Sequence, residues 1–195
     1  MAGHAYRAGM RRIVITQNIT LDGVIEIEQP WFDVTVDTEQ GRELADVTAE
    51  HAAASDGFLV GRTTFEEMRS FWPQQIDDQT GVTEHLNRVQ KYVVSTTLDD
   101  PNWDGTTILR GGDTLESQIR ALTAEDGTDI VLTGSITLGH ALLRAGVVDE
   151  IRLFTFPLVM GRGRRLFPDG WSADALTLID QRTFSAGVTL TRYAL

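Results

Sequence analysis

Short β-branched runs alternate along this chain with stretches of helical spacing. Ile13 to Ile19 is a β-branched run suited to a buried strand, closed by the turn residues Leu21-Asp22-Gly23, and Trp31-Phe32 falls in the loop that follows. From Glu39 to Ala54 the positions Leu44, Val47, His51 and Ala54 recur at helical spacing. Phe58 to Val60 predicts a short strand, Thr64 to Ser70 a helix, Pro73 to Glu84 a loop, and Lys91 to Ser95 another strand. Leu115, Ile119 and Leu122 predict a helix introduced by Asp113 and Glu116 as a capping pair. Asp129 to Thr133 is an apolar strand, and Leu138, Leu142 and Leu143 mark a helix stopped by Gly146. Glu150 to Val159 and Thr177 to Leu190 predict two or three longer strands, antiparallel because no helix separates them. The fold class is therefore α/β: a mostly parallel central sheet flanked by helices, with antiparallel strands at its C-terminal edge.

Composition narrows the function classes. The 195 residues, 42% of them hydrophobic, suit one domain over 12–195, preceded by a disordered basic tail over 1–11. A net charge of −11 argues against a nucleic-acid partner. The absence of cysteine removes disulfides and thiolate chemistry. No apolar run approaches the roughly 20 residues of a membrane span, and Met1 to Arg12 lacks a signal-peptide core, so the expected location is cytoplasmic.

The stretch Asp56 to Glu66 carries the strongest chemical signal. A strand ends at Gly61, and Arg62, Thr63 and Thr64 open a helix, with Thr63 and Glu66 spaced as a capping box. Free helix-terminal N–H groups, hydroxyls and a guanidinium then surround one point, which suits a phosphate. In an acidic chain such a local anion site has to overcome a repulsive global field. Leu132 to Leu138 offers a second strand-glycine-helix turn, with Gly134 allowing close backbone approach and Ser135 or Thr137 capping, so that a diphosphate can bridge both turns. Val94-Ser95-Thr96-Thr97 closes a strand at the same sheet edge with three hydroxyls. Gly161-Arg162-Gly163-Arg164-Arg165 is not a dinucleotide fingerprint; it reads first as a hairpin with a solvated basic face, and second as a substrate-phosphate contact. The four histidines have no metal-ligand spacing, so no metal is expected. His51, on an apolar stripe, is expected to be a satisfied core residue and His140 a surface one. No G-x-S-x-G elbow is present.

Taken in order, Ile15 to Ile25, the Val60-Gly-Arg-Thr-Thr-Phe65 turn, Lys91 to Thr96, Thr133-Gly-Ser135 and Pro157 to Phe167 resemble the dihydrofolate-reductase-like superfamily. Within it the chain is similar to the C-terminal reductase domain of the bacterial bifunctional riboflavin-biosynthesis deaminase/reductase and its stand-alone relatives, over about Arg12 to Leu195. The Gly-Arg-x-Thr turn and the later Gly-x-Gly-x-x-Leu-Phe are specific only together.

The resemblance implies an NADPH-binding reductase with a central sheet of eight or nine strands. On that basis Gly61, Arg62, Thr63 and Thr64 hold cofactor phosphate, Ser95 and Thr96 lie near the 2′-phosphate, and Gly134, Ser135, Ile136, Thr137 and Leu138 wrap the diphosphate. Gln17 and Asn18 approach the nicotinamide; Thr20, Asp22, Gly23 and Arg162 approach substrate. Two departures stand out. Ser135 replaces the second glycine of the family's pair, and the helical acid that assists substrate protonation maps near Asp46 only by counting back from the Gly61 turn. The implied activity is hydride transfer to a small heterocyclic substrate of pyrimidine or pterin type, resembling 5-amino-6-(5-phosphoribosylamino)uracil reductase. The alternatives are a non-catalytic nucleotide- or pterin-binding protein of the same fold, and a flavin- or folate-linked resistance or sensing protein. A homodimer is expected from the long terminal strands, from Trp171 and from the habit of the family.

Overall fold

A computed structural model describes residues 10–26 and 38–195. In chain order the elements are β1 (Arg12–Thr20), α1 (Glu39–Ala53), β2 (Ser55–Gly61), α2 (Arg62–Phe71), α3 (Val82–Arg88), β3 (Gln90–Val94), β4 (Thr106–Leu109), α4 (Leu115–Thr123), β5 (Asp129–Leu132), α5 (Ile136–Ala145), β6 (Glu150–Phe156), β7 (Thr177–Thr183) and β8 (Thr189–Ala194). The strands form one eight-stranded sheet in the order β4-β3-β2-β5-β1-β6-β8-β7. The first six in that order are parallel; β8 runs antiparallel to β6 and to β7. The mixed sheet with an antiparallel C-terminal edge thus matches the pattern of the sequence, although β6 itself pairs parallel to β1.

Several local expectations are corrected. The Thr63/Glu66 capping box does not form: α2 is capped by Gly61 without a side-chain bond, and Glu66 instead takes the Arg62 guanidinium one turn away. The Asp113/Glu116 pair likewise does not cap α4; Glu116 pairs with Arg120, and a short 3-10 turn over Gly112–Thr114 leads into the helix. The Pro73 to Glu84 stretch is not wholly loop. A 3-10 turn covers Trp72–Gln74, and α3 begins at Val82, where Asp78 accepts the Thr80 and Thr83 backbone N–H groups. Strand β4 has too few apolar residues to announce itself, and its pairing with β3 supplies what its own pattern lacks.

Both faces of the sheet are covered. Ile13, Ile15, Leu59, Ile130, Leu132 and Ile151 meet α4 and α5 on one face. On the other, two separate clusters form. Phe58, Val60 and Val93 pack with Phe65 of α2 and Leu86 of α3; Phe154, Phe156 and Leu190 pack with Leu44 and Val47 of α1. The buried Lys91 ammonium donates to the carbonyls of Leu86 and Val89, tying the end of α3 to β3. Trp171, expected to offer surface to a second copy, packs within its own chain, donating to the Leu143 carbonyl and stacking on Phe167.

The amino-terminal ends of the central strands are held by charge. Asp129 accepts from Arg12 and Arg152, while Glu150 accepts from Arg12, Arg152 and Arg192. Both carboxylates and Arg152 are buried. Burial alone would raise the Glu150 carboxyl, but the hydrogen bonds from Arg192 and Arg152 outweigh it and hold the group below its ordinary value. Removing one partner leaves uncompensated buried charge. Glu150→Gln is therefore expected to lower the unfolding free energy by about 3 kcal/mol, read as a shift in the urea midpoint.

Candidate active site

Because β1 to β5 are parallel, their carboxyl ends gather at one edge of the sheet, opposite the charge cluster. Two glycine turns meet there, and side chains stitch them together. Gly134 has φ +62, and a Cβ on it would come 3.2 Å from Thr64 Cγ2, so glycine is needed both for the backbone angle and for the approach of the two turns. The Gln17 amide donates to the Gly134 carbonyl at 2.9 Å and accepts its N–H at 3.2 Å. Ser135, itself left-handed at φ 48, does not cap its own helix; its hydroxyl accepts the Gly61 N–H at 3.0 Å. The N-termini of α2 and α5 are thereby fixed side by side, and neither has a side-chain cap. The N–H groups of an uncapped first turn point to a common anion position. Thr63 is exposed and Thr64 half-buried, Ile136 is half-buried, Thr137 exposed and Leu138 buried. Arg62 is half-exposed, and its surface pair with Glu66 is of the weak kind that a ligand can displace.

At the neighbouring strand ends the placement differs from the sequence expectation. Ser95 is buried, and its hydroxyl accepts the Thr97 and Leu98 N–H groups, so it shapes its own turn. Thr96 and Thr97 are exposed beside it. The Ser95 N–H bonds the Leu109 carbonyl, which brings Arg110 to this edge, where its guanidinium donates to the Leu98 carbonyl. Sequence reading missed Arg110 because it follows a strand that the pattern did not reveal.

The predicted substrate residues on the β1 turn are structural. Thr20 donates to Asp22 and accepts the Val24 N–H. Asp22 also accepts the N–H groups of Met160 and Gly161. The Thr20 hydroxyl, followed by the Gly161 N–H, pulls the Asp22 carboxyl down to about 2. Gly23 turns at φ +83. The arginine-rich segment lies across this turn rather than forming a free hairpin. Val24 bridges Arg165, and Arg164 pairs with Glu26. Gly163 is required here, since at φ +103 a Cβ would come 2.8 Å from Val24 Cγ1. Arg162 is exposed. His140 approaches the Arg165 carbonyl through Nε2 at 2.9 Å.

Between the two clusters on the α1 face lies a cleft of about 530 Å³. Thr16, Asn18, Val131, Thr133 and Phe58 form its floor; α1 supplies one wall, with Phe154 beside it, and α3 the other. Asn18 and Thr133 immediately neighbour Gln17 and Gly134, so the cleft abuts the paired turns. His51 lines it but is not the satisfied core residue expected, for neither ring nitrogen has a partner among the described residues. Burial, reinforced by Arg152 and Arg192, depresses its pKa to about 4. His85 lines the cleft as well and is shifted the same way, by burial and then by Arg88. Asp46 is exposed and is not among the lining residues. No cluster able to hold a metal occurs among the described residues, and none of their helices is long and apolar enough to cross a membrane.

Comparison with known proteins places this arrangement. The model of the RibD C-terminal domain matches residues 11–190. The chain belongs to that family. It is 31% identical over 181 residues to the uncharacterized protein YyaP of Bacillus subtilis (strain 168), covering 91% of this chain and 92% of that one. It superposes on a diaminohydroxyphosphoribosylaminopyrimidine deaminase/5-amino-6-(5-phosphoribosylamino)uracil reductase from Thermotoga maritima with a TM-score of 0.64 and 16% identity, covering 95% of this chain and 56% of that one. Dihydrofolate reductase from Enterococcus faecalis, complexed with NADP(H), gives 0.59 and 14%, over 94% and 95% of the two chains. The fold is dihydrofolate-reductase-like, as the sequence resemblance implied.

The histidines make stability depend on pH. Their folded pKa values lie below the ordinary 6.5, so the unfolded chain binds more protons as pH falls. The stability that a neutral His51 contributes is complete above about pH 6.5 and is lost as pH falls toward about 4. Glu50 on its own helix and Glu150 oppose this shift, while Arg152 and Arg192 favour it. His51→Phe is expected to lose less stability than the parent between about pH 7 and about pH 4.5, measured by urea denaturation at each pH.

Proposed function

We propose that this protein is an NADPH-dependent reductase that transfers hydride to a small heterocyclic substrate of pyrimidine or pterin type. The observation that carries the reading is the pairing of the α2 and α5 N-termini through Ser135–Gly61 and Gln17–Gly134 at the edge of a cleft. The residues present fit a dinucleotide. Backbone N–H groups at Arg62, Thr63 and Thr64, and at Ile136, Thr137 and Leu138, suit a diphosphate, and Gly134 leaves the room that a side chain would fill. Thr96, Arg62 and Arg110 suit a 2′-phosphate, and Ser95 holds the turn that carries Thr96. When bound, the cofactor supplies the hydride.

In this reading the chain's own part is orientation. Gln17 holds the Gly134 turn, Asn18 faces the reacting ring, and the cleft between α1 and α3 holds the substrate. Thr20, Asp22 and Gly23 hold the loop that presents Arg162 at the rim. The membership of the family and the reductase activities of the Thermotoga and Enterococcus proteins support this reading. A single domain and a cytoplasmic location complete it. Residues 1–9 of the expected tail lie outside the described residues, as do Trp31 and Phe32. Met10 bridges Asp126 and Arg11 pairs with Asp56 and Glu125, so these two belong to the fold. A homodimer would use β7, an edge strand with Leu178 and Ile179 exposed.

A second reading, a nucleotide- or pterin-binding protein without turnover, is favoured by one feature: Asp46 lies outside the cleft lining, and the carboxylate that does line it, Glu84, is exposed and paired with Arg88. If turnover occurs, solvent water is then the proton source, and Asp46→Asn is expected to keep kcat within about twofold across pH.

Titration with NADPH and with NADH, followed by tryptophan fluorescence, tests the cofactor assignment. NADPH is expected to bind much the more tightly, and Arg62→Ala and Arg110→Ala each to weaken NADPH by about tenfold. NADH should change little with Arg110→Ala. Absence of binding by either nucleotide would sink the reductase reading; binding without oxidation by any pyrimidine or pterin would favour the second.

A further inference from the structure

The cleft and the paired turns differ in what they offer a negative charge. Glu84 and Arg88 are the ionised groups among the described residues that line the cleft, and they pair with each other at 3.6 Å. Burial lowers the pKa values of His51 and His85, so both are neutral near pH 7. The lining therefore has no net charge and no cation without a carboxylate beside it. A phosphate that drew Arg88 away would leave the Glu84 carboxylate facing it in the same cleft.

The helices that wall the cleft also begin differently from α2 and α5. Thr38 caps α1 by accepting the Gly41 N–H, and Glu39 adds a negative charge to that first turn. At α3 the Asp78 carboxylate accepts the Thr80 and Thr83 N–H groups. An incoming anion thus meets a carboxylate at either helix start. The sequence between the described segments, residues 27–37, contains Glu28, Asp33 and Asp37 and no lysine or arginine. Arg162 is not among the lining residues, and it follows Gly161, whose N–H is held by the ionised Asp22.

We propose that the substrate of the cleft is an uncharged ring compound without phosphate, held by apolar contact and by the neutral Asn18 and Thr133 side chains. The proposal rests on the reductase reading for the identity of the cleft, and it narrows the substrate. Leu44, Phe58, Val131 and Phe154 present apolar surface to about 530 Å³, a volume in the range of small-molecule sites. Neutral amide and hydroxyl groups bond ring nitrogens, carbonyls and sugar hydroxyls without the desolvation cost of an unpaired charge. The uncapped helix starts are gathered instead at α2 and α5, where the cofactor phosphates belong in that reading. The phosphoribosyl group in the name of the Thermotoga reductase's substrate would find no counter-charge in this cleft.

The test uses pairs that differ only by one phosphate: neopterin with neopterin monophosphate, and uridine with uridine monophosphate. Calorimetry is run with NADP+ added to fill the cofactor site, and NADPH affinity is measured on the same preparation. At least one unphosphorylated member is expected to bind, and its phosphate to bind at least about tenfold more weakly. Ala49 is exposed on the α1 wall of the cleft, so Ala49→Leu enlarges a side chain where there is room and should stay folded. It is expected to weaken the unphosphorylated member by at least about tenfold and to leave NADPH affinity within about twofold. Equal or tighter binding of the phosphates, binding unmoved by Ala49→Leu, or no binding of any of these compounds would each overturn the proposal. Preference for the unphosphorylated member without NADPH binding would leave this inference standing and remove the reductase reading. NADPH binding together with tighter binding of the phosphates would do the reverse.

Discussion

Two buried carboxylates gripping three arginines hold the register on which the rest of the molecule depends. Arg12 comes from β1, Asp129 from β5, Glu150 and Arg152 from β6, and Arg192 from β8, so four adjacent strands are tied at one edge. Ion pairs of this kind contribute little net stability compared with an apolar core, yet they tolerate no displacement. A slip of one residue would turn each charge to the opposite face, among Ile13, Ile15 and Ile151. With register set at one end, the carboxyl ends of the strands fall at defined heights, and the glycine turns that follow them meet.

The same charges shape the cleft. Apolar packing on the α1 face divides into two clusters, one under α2 and α3 and one under α1 toward β8. The floor between them carries Thr16, Asn18 and Thr133 beside Val131. Polar floor residues cannot be covered by a helix without cost, so the gap remains open and is available to a ligand that can satisfy them. On the opposite face one apolar cluster runs under α4 and α5 across the central strands.

Between these regions Gln17 and Ser135 couple strand ends to helix starts. Each uses a side chain to satisfy a backbone group of another turn, rather than capping its own segment. This leaves the N-termini of α2 and α5 uncapped, which is the condition for anion binding at a helix end. A local concentration of backbone N–H groups also accounts for how a chain with net charge −11 can hold a phosphorylated ligand at all.

The division between what was legible in the sequence and what was not follows the range of the interactions. β-Branched runs, helical spacing and strand-ending glycines depend on neighbours a few residues apart, so the mixed sheet, the order of its elements and the two glycine turns were readable, as was the family. Pairings between distant residues were not. Thr63–Glu66 and Asp113–Glu116 look like caps in sequence, but Arg62 and Arg120 compete for the two glutamates. Strand β4 exists because β3 accepts it, and with it Arg110 comes to the site. His51 sits on an apolar stripe and reads as core, whereas the opening between α1 and α3 makes it a cleft wall with nothing to bond. The sequence by itself determined the fold and the place where phosphate chemistry is possible, because periodicity and backbone freedom are local properties. Only the tertiary structure decided which side chains were spent on holding the turns, and which remained unsatisfied at the inner end of the cleft, because that depends on which distant partners burial brings together.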